Sequence, residues 1–194
     1  MLPAFNHSHV LPPFLGDTMS LGRASPYVTD AAELATQLGM TAERKRLLHG
    51  FFALRECLDA LGFSDGFFWL DGSFVELVEE SRGTAPADID VVCFVHAPIG
   101  IAPPQVQALM DQHPELFHRE TCKIRFGCDF FIVNLDKPAK KLVQEVRYWY
   151  GLFSHRQSDQ LWKGMLEVPL AGDYTAAAAL LDNPALGDHD VAPA

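Results

Sequence analysis

Three aspartates lie in apolar surroundings where a lone charge is unfavourable. Asp88 and Asp90 open the run Asp-Ile-Asp-Val-Val-Cys-Phe, and Asp129 stands within Phe-Gly-Cys-Asp-Phe-Phe. On a strand the side chains at positions i and i+2 point to the same face, so Asp88 and Asp90 stand together. Adjacent carboxylates repel each other unless a cation lies between them. The pair therefore predicts a divalent cation, and oxygen ligands of this kind suit Mg²⁺ shared with substrate phosphates.

A third carboxylate from a neighbouring strand would allow two ions to be held, as in-line displacement at phosphorus prefers. Asp129 is the candidate for this position. The alternative is structural, with Asp88 capping the start of a strand and Asp90 serving as an edge-strand charge. That alternative is weaker for Asp90, because a charge that opens so apolar a strand is costly unless it is paired or bound to a metal.

A Gly-Ser turn precedes the aspartate pair. Gly72 and Ser73 follow the apolar run Phe67–Leu70 and Asp71, and the segment 74–80 is predicted to be helical. Such a turn before a helix exposes backbone N–H groups and a hydroxyl, which suit the outer phosphates of a nucleotide. The alternative is a plain hairpin turn, for which Asp-Gly is a usual sequence.

Basic residues are concentrated in one part of an acidic chain. The segment 119–163 holds nine basic and five acidic residues, about +4, whereas the remainder holds six basic and twenty acidic, about −14, of a total of −10. This balance suits a small anionic ligand better than a long duplex. Lys163 and Arg156 are the predicted phosphate or base contacts, and a solvated face is the alternative for each. Five cations of this segment are candidates: Lys123, Arg125, Arg147, Arg156 and Lys163.

The elements that position these residues follow from periodicity and from Gly and Pro. Residues 1–28 are predicted as an extended arm that wraps the domain, residues 29–170 as the domain, and residues 171–194 as a loose tail. Five segments are predicted as helices, at 30–38, 41–61, 74–80, 105–110 and 140–150. For the last of them, a passage from helix into strand is left open. Five segments are predicted as strands, at 67–70, 88–96, 123–126, 128–135 and 163–170. The order indicates an α/β or α+β fold with a mixed sheet.

Composition excludes several classes of protein. The chain has 194 residues, of which 48 % are apolar and 21 % charged, so it can form one core and is not disordered throughout. No apolar run approaches the roughly 18 residues that a spanning helix needs, and the start has no basic leader, so neither membrane association nor secretion is expected. The four cysteines form no Cys-x-x-Cys pair, which predicts free thiols in a reduced, cytoplasmic protein.

These motifs together resemble a known superfamily. The sequence from Leu70 to Ser73, followed by Asp88-Ile-Asp-Val, is similar to the Gly-Ser…Asp-x-Asp signature of polymerase-β nucleotidyltransferases, particularly their minimal bacterial members. Gly-Ser-Phe-Val at 72–75 with Asp-Ile-Asp-Val-Val at 88–92 also resembles a related bacterial family of unknown activity. The resemblance covers about residues 10–170.

The resemblance implies a mixed sheet flanked by helices and an NTP as substrate. It implies that Gly72 and Ser73 contact the triphosphate and that Asp88 and Asp90 ligate two Mg²⁺ ions, or Mn²⁺. Asp129 would be the third carboxylate and a candidate base, with Asp136 as the alternative. The gap from Ser73 to Asp88 is long for the pattern, with 79–84 as the apparent insertion.

The function expected from the resemblance is transfer of a nucleoside monophosphate from an NTP, such as ATP, to an acceptor hydroxyl. The acceptor is left open between a protein, an RNA end and a small molecule. By analogy, minimal bacterial enzymes of this kind suggest a toxin–antitoxin or phage-defence setting with a cognate partner protein. The alternative is a non-catalytic module on the same fold that senses a nucleotide or binds a partner. Binding of duplex DNA is not expected.

Overall fold

The computed structural model describes residues 1–16 and 23–183. Its strands are β1 (Tyr27–Val28), β2 (Gly66–Asp71), β3 (Ile89–Val95), β4 (Cys128–Asn134) and β5 (Leu166–Pro169). Its helices are α1 (Ala31–Leu38), α2 (Ala42–Ala60), α3 (Val78–Arg82), α4 (Pro103–Gln112), α5 (Pro114–Phe117), α6 (Arg119–Phe126), α7 (Ala139–Phe153) and α8 (Tyr174–Leu181). None of these helices is both long and apolar enough to cross a membrane.

The five strands form one mixed sheet in the order β1-β5-β2-β3-β4. β2 is antiparallel to both β3 and β5, whereas β3 pairs with β4, and β1 with β5, in parallel. β3 lies between two partners and is buried over most of its length, as its continuous apolar sequence predicts. The predicted fold class, a mixed sheet flanked by helices, is confirmed.

Alternation along the strands separates two cores. On one face Phe68, Leu70, Val91 and Cys93 pack with the apolar sides of α1, α2 and α8. On the other face a smaller cluster of Trp69, Val92, Phe94 and Val133 packs against α7. Because side chains alternate between faces, the last residue of β2 and the second residues of β3 and β4 all point to the α7 side.

Local capping sets the first two helices as the sequence predicts. The Asp30 side chain accepts a hydrogen bond from the backbone N–H of Glu33 at the start of α1. The Thr41 hydroxyl accepts a hydrogen bond from the backbone N–H of Arg44 at the start of α2. A side-chain acceptor at this position satisfies one of the free N–H groups of the first turn.

Two predicted elements are wrong. Residues 123–126 belong to α6 rather than to a strand, with Cys122 and Phe126 buried one turn apart and Gly127 ending the helix at φ +66°. Four residues are too few for their periodicity to separate a strand from a helix. The second is the helix predicted at 74–80: residues 72–75 form a 3₁₀ turn, Glu76 forms a β-bridge with Val10, and the α-helix α3 begins only at Val78. The helix predicted at 140–150 is confirmed as α7, which stays helical to Phe153.

The predicted loose tail is also wrong for Tyr174–Leu181. This segment forms α8, whose Tyr174, Ala177 and Leu181 are buried against α1 and α2. The remainder of the predicted tail, 184–194, lies outside the described residues. Within the predicted N-terminal arm, Val10 and Leu11 are buried, and Val10 forms a β-bridge with Glu76. The arm therefore contacts the segment that follows the Gly-Ser turn.

Candidate metal and phosphate site

The strand register lines up the predicted aspartates. Asp90 of β3 pairs with Asp129 of β4, and Asp88 lies two residues before Asp90 on the same face. One carboxylate oxygen from each of Asp88, Asp90 and Asp129 lies within 4.8 Å of the other two. Asp90 of β3, Asp129 of β4 and Asp88, which directly precedes β3, thus form one cluster with the spacing of a metal site. Among the described residues, this is the one group of at least three acidic, His or Cys side chains with that spacing.

A fourth carboxylate belongs to the same row. Asp71 ends β2 directly opposite Asp90, so Asp71, Asp90 and Asp129 stand side by side on three neighbouring strands. Asp71 is only 4 % exposed. Its Oδ1 lies 3.0 Å from Lys163 Nζ, yet it is the one buried side-chain polar atom in the described chain without a well-directed hydrogen bond. The sequence suggested only a turn residue here, and nothing local marked its burial.

Burial and mutual repulsion make ionisation of this row costly. Burial raises the pKa of Asp90 to about 6, and the charges of Asp88 and Asp129 add to the shift although Lys163 and Lys123 oppose it. Burial also raises the pKa of Asp71 to about 7 against the opposing effect of Lys163. Carboxylates in this state favour an added positive charge between them.

Two cations of α6 already pair with the cluster. Arg119 donates from Nε to Asp129 Oδ1 and from Nη2 to Asp129 Oδ2, both at 2.5 Å. Lys123, one turn further along α6, forms an ion pair with Asp88. These contacts raise the pKa of both cations. Arg119 was not singled out from the sequence, and the assignment of 123–126 to a strand concealed the i, i+4 spacing that brings both cations to the cluster.

The Gly-Ser turn packs directly against the central carboxylate. Residues 72–75 form one turn of 3₁₀ helix, and Gly72 has φ +78°. A Cβ atom on Gly72 would lie 2.2 Å from Asp90 Oδ2. Glycine is therefore required here both for its backbone conformation and for the close approach of the carboxylate. Ser73 lines the same cleft, next to the aspartates.

Lys163 lies in the cleft wall with its ammonium group turned towards the protein. The side chain is 2 % exposed, and Nζ donates to the carbonyl of Gly72 at 2.9 Å. Nζ also lies 3.0 Å from Asp71 Oδ1 and 3.1 Å from Glu76 Oε1. The ammonium group thus faces three protein oxygens, with a hydrogen bond to the Gly72 carbonyl and ion pairs to Asp71 and Glu76. Lys163 thus anchors the Gly-Ser turn from behind.

Arg156 lines the cleft but is held by a neighbour. Its Nε and Nη2 bind the two oxygens of Asp159 at 2.9 and 2.5 Å. Its Nη1 lies 3.9 Å from Oε2 of the buried Glu76, which also accepts from Arg82 at 2.9 Å. Glu76, absent from the sequence-based candidates, is the acidic centre of this second set of charges.

Arg44 fixes the segment after the Gly-Ser turn. Its side chain, which extends from the first turn of α2, is fully buried. It donates to both carboxylate oxygens of Glu79, at 2.6 and 2.9 Å, and to the carbonyls of Phe74 and Glu76, at 2.7 and 2.5 Å. Glu79 begins the apparent insertion 79–84, so part of that insertion has a structural role.

The site opens into a cleft of about 460 Å³ between the sheet and the C-terminal half of α7. Its apolar wall includes Phe131 and Trp149, whose ring centroids are 4.7 Å apart. Trp149 also packs against the smaller core cluster on the α7 side of the sheet. The wall offers an aromatic surface beside the charged cluster.

Asp136, the alternative third carboxylate, lies at the opposite end of β4. Its Oδ1 is 2.6 Å from His96 Nδ1, and its Oδ2 accepts from the N–H of Ala97 at 2.8 Å. The structure therefore brings Asp129, and not Asp136, to Asp88 and Asp90.

Comparison with known proteins adds a family. The sequence profile of the DUF6932 family, a family of unknown function, matches residues 3–169. The chain belongs to the DUF6932 family. The match spans all five strands and every residue of the charged cleft, whereas α8 lies beyond it. No curated protein and no solved structure matches the chain significantly.

Proposed function

We propose that this DUF6932 protein is a Mg²⁺-dependent nucleotidyltransferase of the polymerase-β type. It would move a nucleoside monophosphate from an NTP to a hydroxyl group of an acceptor. The observation that carries the proposal is the register of β2, β3 and β4, which aligns Asp71, Asp90 and Asp129 beside the Gly72-Ser73 turn. Carboxylates that can hold divalent ions beside a Gly-Ser turn are a combination suited to phosphoryl transfer.

The donor set fits Mg²⁺ or Mn²⁺. Asp88, Asp90 and Asp129 offer hard oxygen ligands within reach of one ion or two. The raised pKa of Asp90 indicates that the charge of this row of carboxylates is not fully compensated within the protein, although Lys163 Nζ lies 3.0 Å from Asp71 Oδ1. A bound ion would supply that compensation and would polarise the phosphate.

Each remaining residue has a role that its contacts support. The backbone of Gly72 and the hydroxyl of Ser73 would bind the triphosphate, with Lys163 holding the turn in place. Arg156 is paired with Asp159, so it would form part of the cleft wall rather than supply a free cation to the substrate. Because both oxygens of Asp129 accept from Arg119, Asp129 is poorly placed to act as the base, and metal binding would require Arg119 to release it.

In the proposed reaction the acceptor oxygen forms a bond to the α-phosphorus of the NTP. The bond from that phosphorus to the bridging oxygen breaks, pyrophosphate leaves with the electron pair, and the acceptor proton passes to solvent. The acceptor would be a protein, an RNA end or a small molecule. A cytoplasmic location is part of the proposal, because Cys57, Cys93, Cys122 and Cys128 are all free thiols.

The first test is ligand-dependent stability, since a ligand that binds only the folded state raises the unfolding midpoint. We expect a metal-dependent rise with at least one NTP for the wild type and none for Asp90→Asn. The matched control is Asp111→Asn, at an exposed aspartate of α4 outside the cleft lining. Pyrophosphate release is then measured for each NTP with candidate acceptors. A well-folded Asp90→Asn protein that still releases pyrophosphate would overturn the assignment.

The second candidate function is a non-catalytic nucleotide sensor or partner-binding module on the same fold. The pairing of Asp88 with Lys123 and of Asp129 with Arg119 favours it, because two of the three ligands are already compensated. NTP binding without pyrophosphate release over a wide range of acceptors would support this candidate. Co-purification with a cognate partner protein that blocks NTP binding would point to the toxin–antitoxin setting.

A further inference from the structure

The two α6 cations are more exposed than Arg156 and Lys163, two other cations of the cleft. The side chains of Arg119 and Lys123 are 58 % and 45 % exposed, whereas their partners Asp129 and Asp88 are 6 % and 17 % exposed. Long exposed side chains can leave an ion pair at low cost, while the buried carboxylates cannot follow them. In contrast, Lys163 is buried against three protein oxygens.

We propose that Arg119 and Lys123 are the phosphate-binding groups of this site, and that they exchange partners when the substrate binds. This inference rests on the proposed function. In the exchange, the divalent ions take the oxygens of Asp88 and Asp129, and the two released cations bind the polyphosphate that arrives with the ions. The preferred ligand is therefore a metal–polyphosphate complex rather than a metal ion alone.

Charge balance supports the exchange. The three carboxylates of the cluster and the two α6 cations together carry one net negative charge. One divalent ion would turn this into one net positive charge, and two ions into three. A triphosphate, with about four negative charges, would bring the site back close to neutrality. Metal ions alone would leave uncompensated positive charge in a partly buried cleft, which is unfavourable.

The positions of the two α6 cations also support the exchange of partners. Arg119 and Lys123 lie one turn apart on one face of α6, so both side chains reach the same cleft. The guanidinium of Arg119 also lies 5.3 Å from the ring centroid of Phe131, a second contact that keeps it beside the cleft once Asp129 is released. A guanidinium that pairs with a carboxylate through two parallel hydrogen bonds can bind a phosphate in the same way.

The experiment compares two ligands on the full chain, Mn²⁺ alone and Mn²⁺ with inorganic triphosphate. Binding is measured by calorimetry and by the electron paramagnetic resonance signal of free Mn²⁺. Arg119→Met and Lys123→Met are the test variants. Arg125→Met is the matched control, because Arg125 is an exposed cation of the same helix that packs on Phe126 and lies outside the cleft lining.

The expected result has opposite signs for the two ligands. Each test variant should bind Mn²⁺ alone more tightly than the wild type, because a competing cation is gone. Each should bind the Mn²⁺–triphosphate complex about tenfold more weakly, because a charge-assisted phosphate contact is lost. Arg125→Met should change neither affinity, and Arg119→Lys should retain part of the triphosphate affinity.

Three results would overturn the inference. If the test variants lose affinity for Mn²⁺ alone, the cations support the carboxylates rather than compete for them. If triphosphate affinity is unchanged while the wild type binds the complex, the phosphate contacts lie elsewhere and the proposed function still stands. If the wild type binds neither Mn²⁺ nor the complex, the inference and the metal site of the proposed function fail together.

Discussion

Replacing Asp90 by asparagine is expected to stabilise the fold at neutral pH while abolishing the effect of metal. Asp90 stands between the carboxylates of Asp88 and Asp129 and directly opposite Asp71. Asparagine has nearly the same shape, so it preserves the contact with Gly72 and removes only the charge. The change therefore isolates the electrostatic cost of the carboxylate row from its packing.

The magnitude follows from the pKa of Asp90, which rises from 3.8 to about 6 in the folded protein. Each unit of pKa corresponds to about 1.36 kcal/mol, so ionising Asp90 costs the folded state at most about 3 kcal/mol. Rearrangement of Arg119 and Lys123 will reduce the measured value. We expect a gain of about 1–3 kcal/mol for Asp90→Asn at pH 8, which is roughly 2–4 °C in Tm for each kcal/mol in a chain of this size.

The sign of the pH dependence is determined by the raised pKa. Between pH 3.8 and about 6 the folded protein binds more protons at Asp90 than the unfolded chain does. The free energy of unfolding therefore falls as pH rises through this window, and the loss is complete above it. The stability difference between Asp90→Asn and the wild type should be small near pH 4 and should reach its maximum by pH 7.

The assay is urea unfolding at pH 4, 6 and 8 in the presence of a chelator, repeated at pH 8 with Mn²⁺. Asp111→Asn, at an exposed position, is the control and should stay within about 0.5 kcal/mol of the wild type at each pH. With Mn²⁺ the wild type should gain stability and Asp90→Asn should not. A loss of stability for Asp90→Asn at pH 8, equal to its loss at pH 4, would refute the reasoning, because it would show that Asp90 is a structural acceptor.

Three further substitutions test the frame of the site by urea unfolding. Gly72→Ala should lower the free energy of unfolding by about 2–4 kcal/mol, and Gly83→Ala by about 1 kcal/mol. Both glycines have positive φ, but only a Cβ at position 72 meets a carboxylate. Equal losses would show that backbone strain is the whole effect. Arg44→Met should lower the free energy of unfolding by about 3–5 kcal/mol, because it leaves buried hydrogen-bond acceptors without a donor. Arg46→Met, at an exposed ion pair, should lower it by less than about 1 kcal/mol. Similar losses for the two variants would contradict the burial of Arg44. Leu181→Ala should lower the free energy of unfolding by about 2–4 kcal/mol, because α8 packs into the core. An unchanged unfolding midpoint would support the predicted loose tail instead.

Long-range pairing decided the parts of the site that the sequence did not reveal. Lys163 meets the carbonyl of Gly72 across 91 residues, and it does so because β5 lies beside β2. Asp71 became a buried member of the carboxylate row through its register with β3. Neither relation has a local pattern, because strand order and register depend on how the whole chain packs.

The sequence by itself determined the local features. Alternation and apolar runs predicted β2, β3 and β4, capping residues predicted α1 and α2, and the Asp-x-Asp spacing put two carboxylates on one face. These features depend on neighbours only a few residues apart, whose geometry a strand or helix repeats. Tertiary structure alone decided that Asp129 rather than Asp136 joins the pair, and that the cations of α6 face it. Those choices arise from the crossover between β3 and β4, which brings the first residues of both strands, and α6 with them, to one end of the sheet.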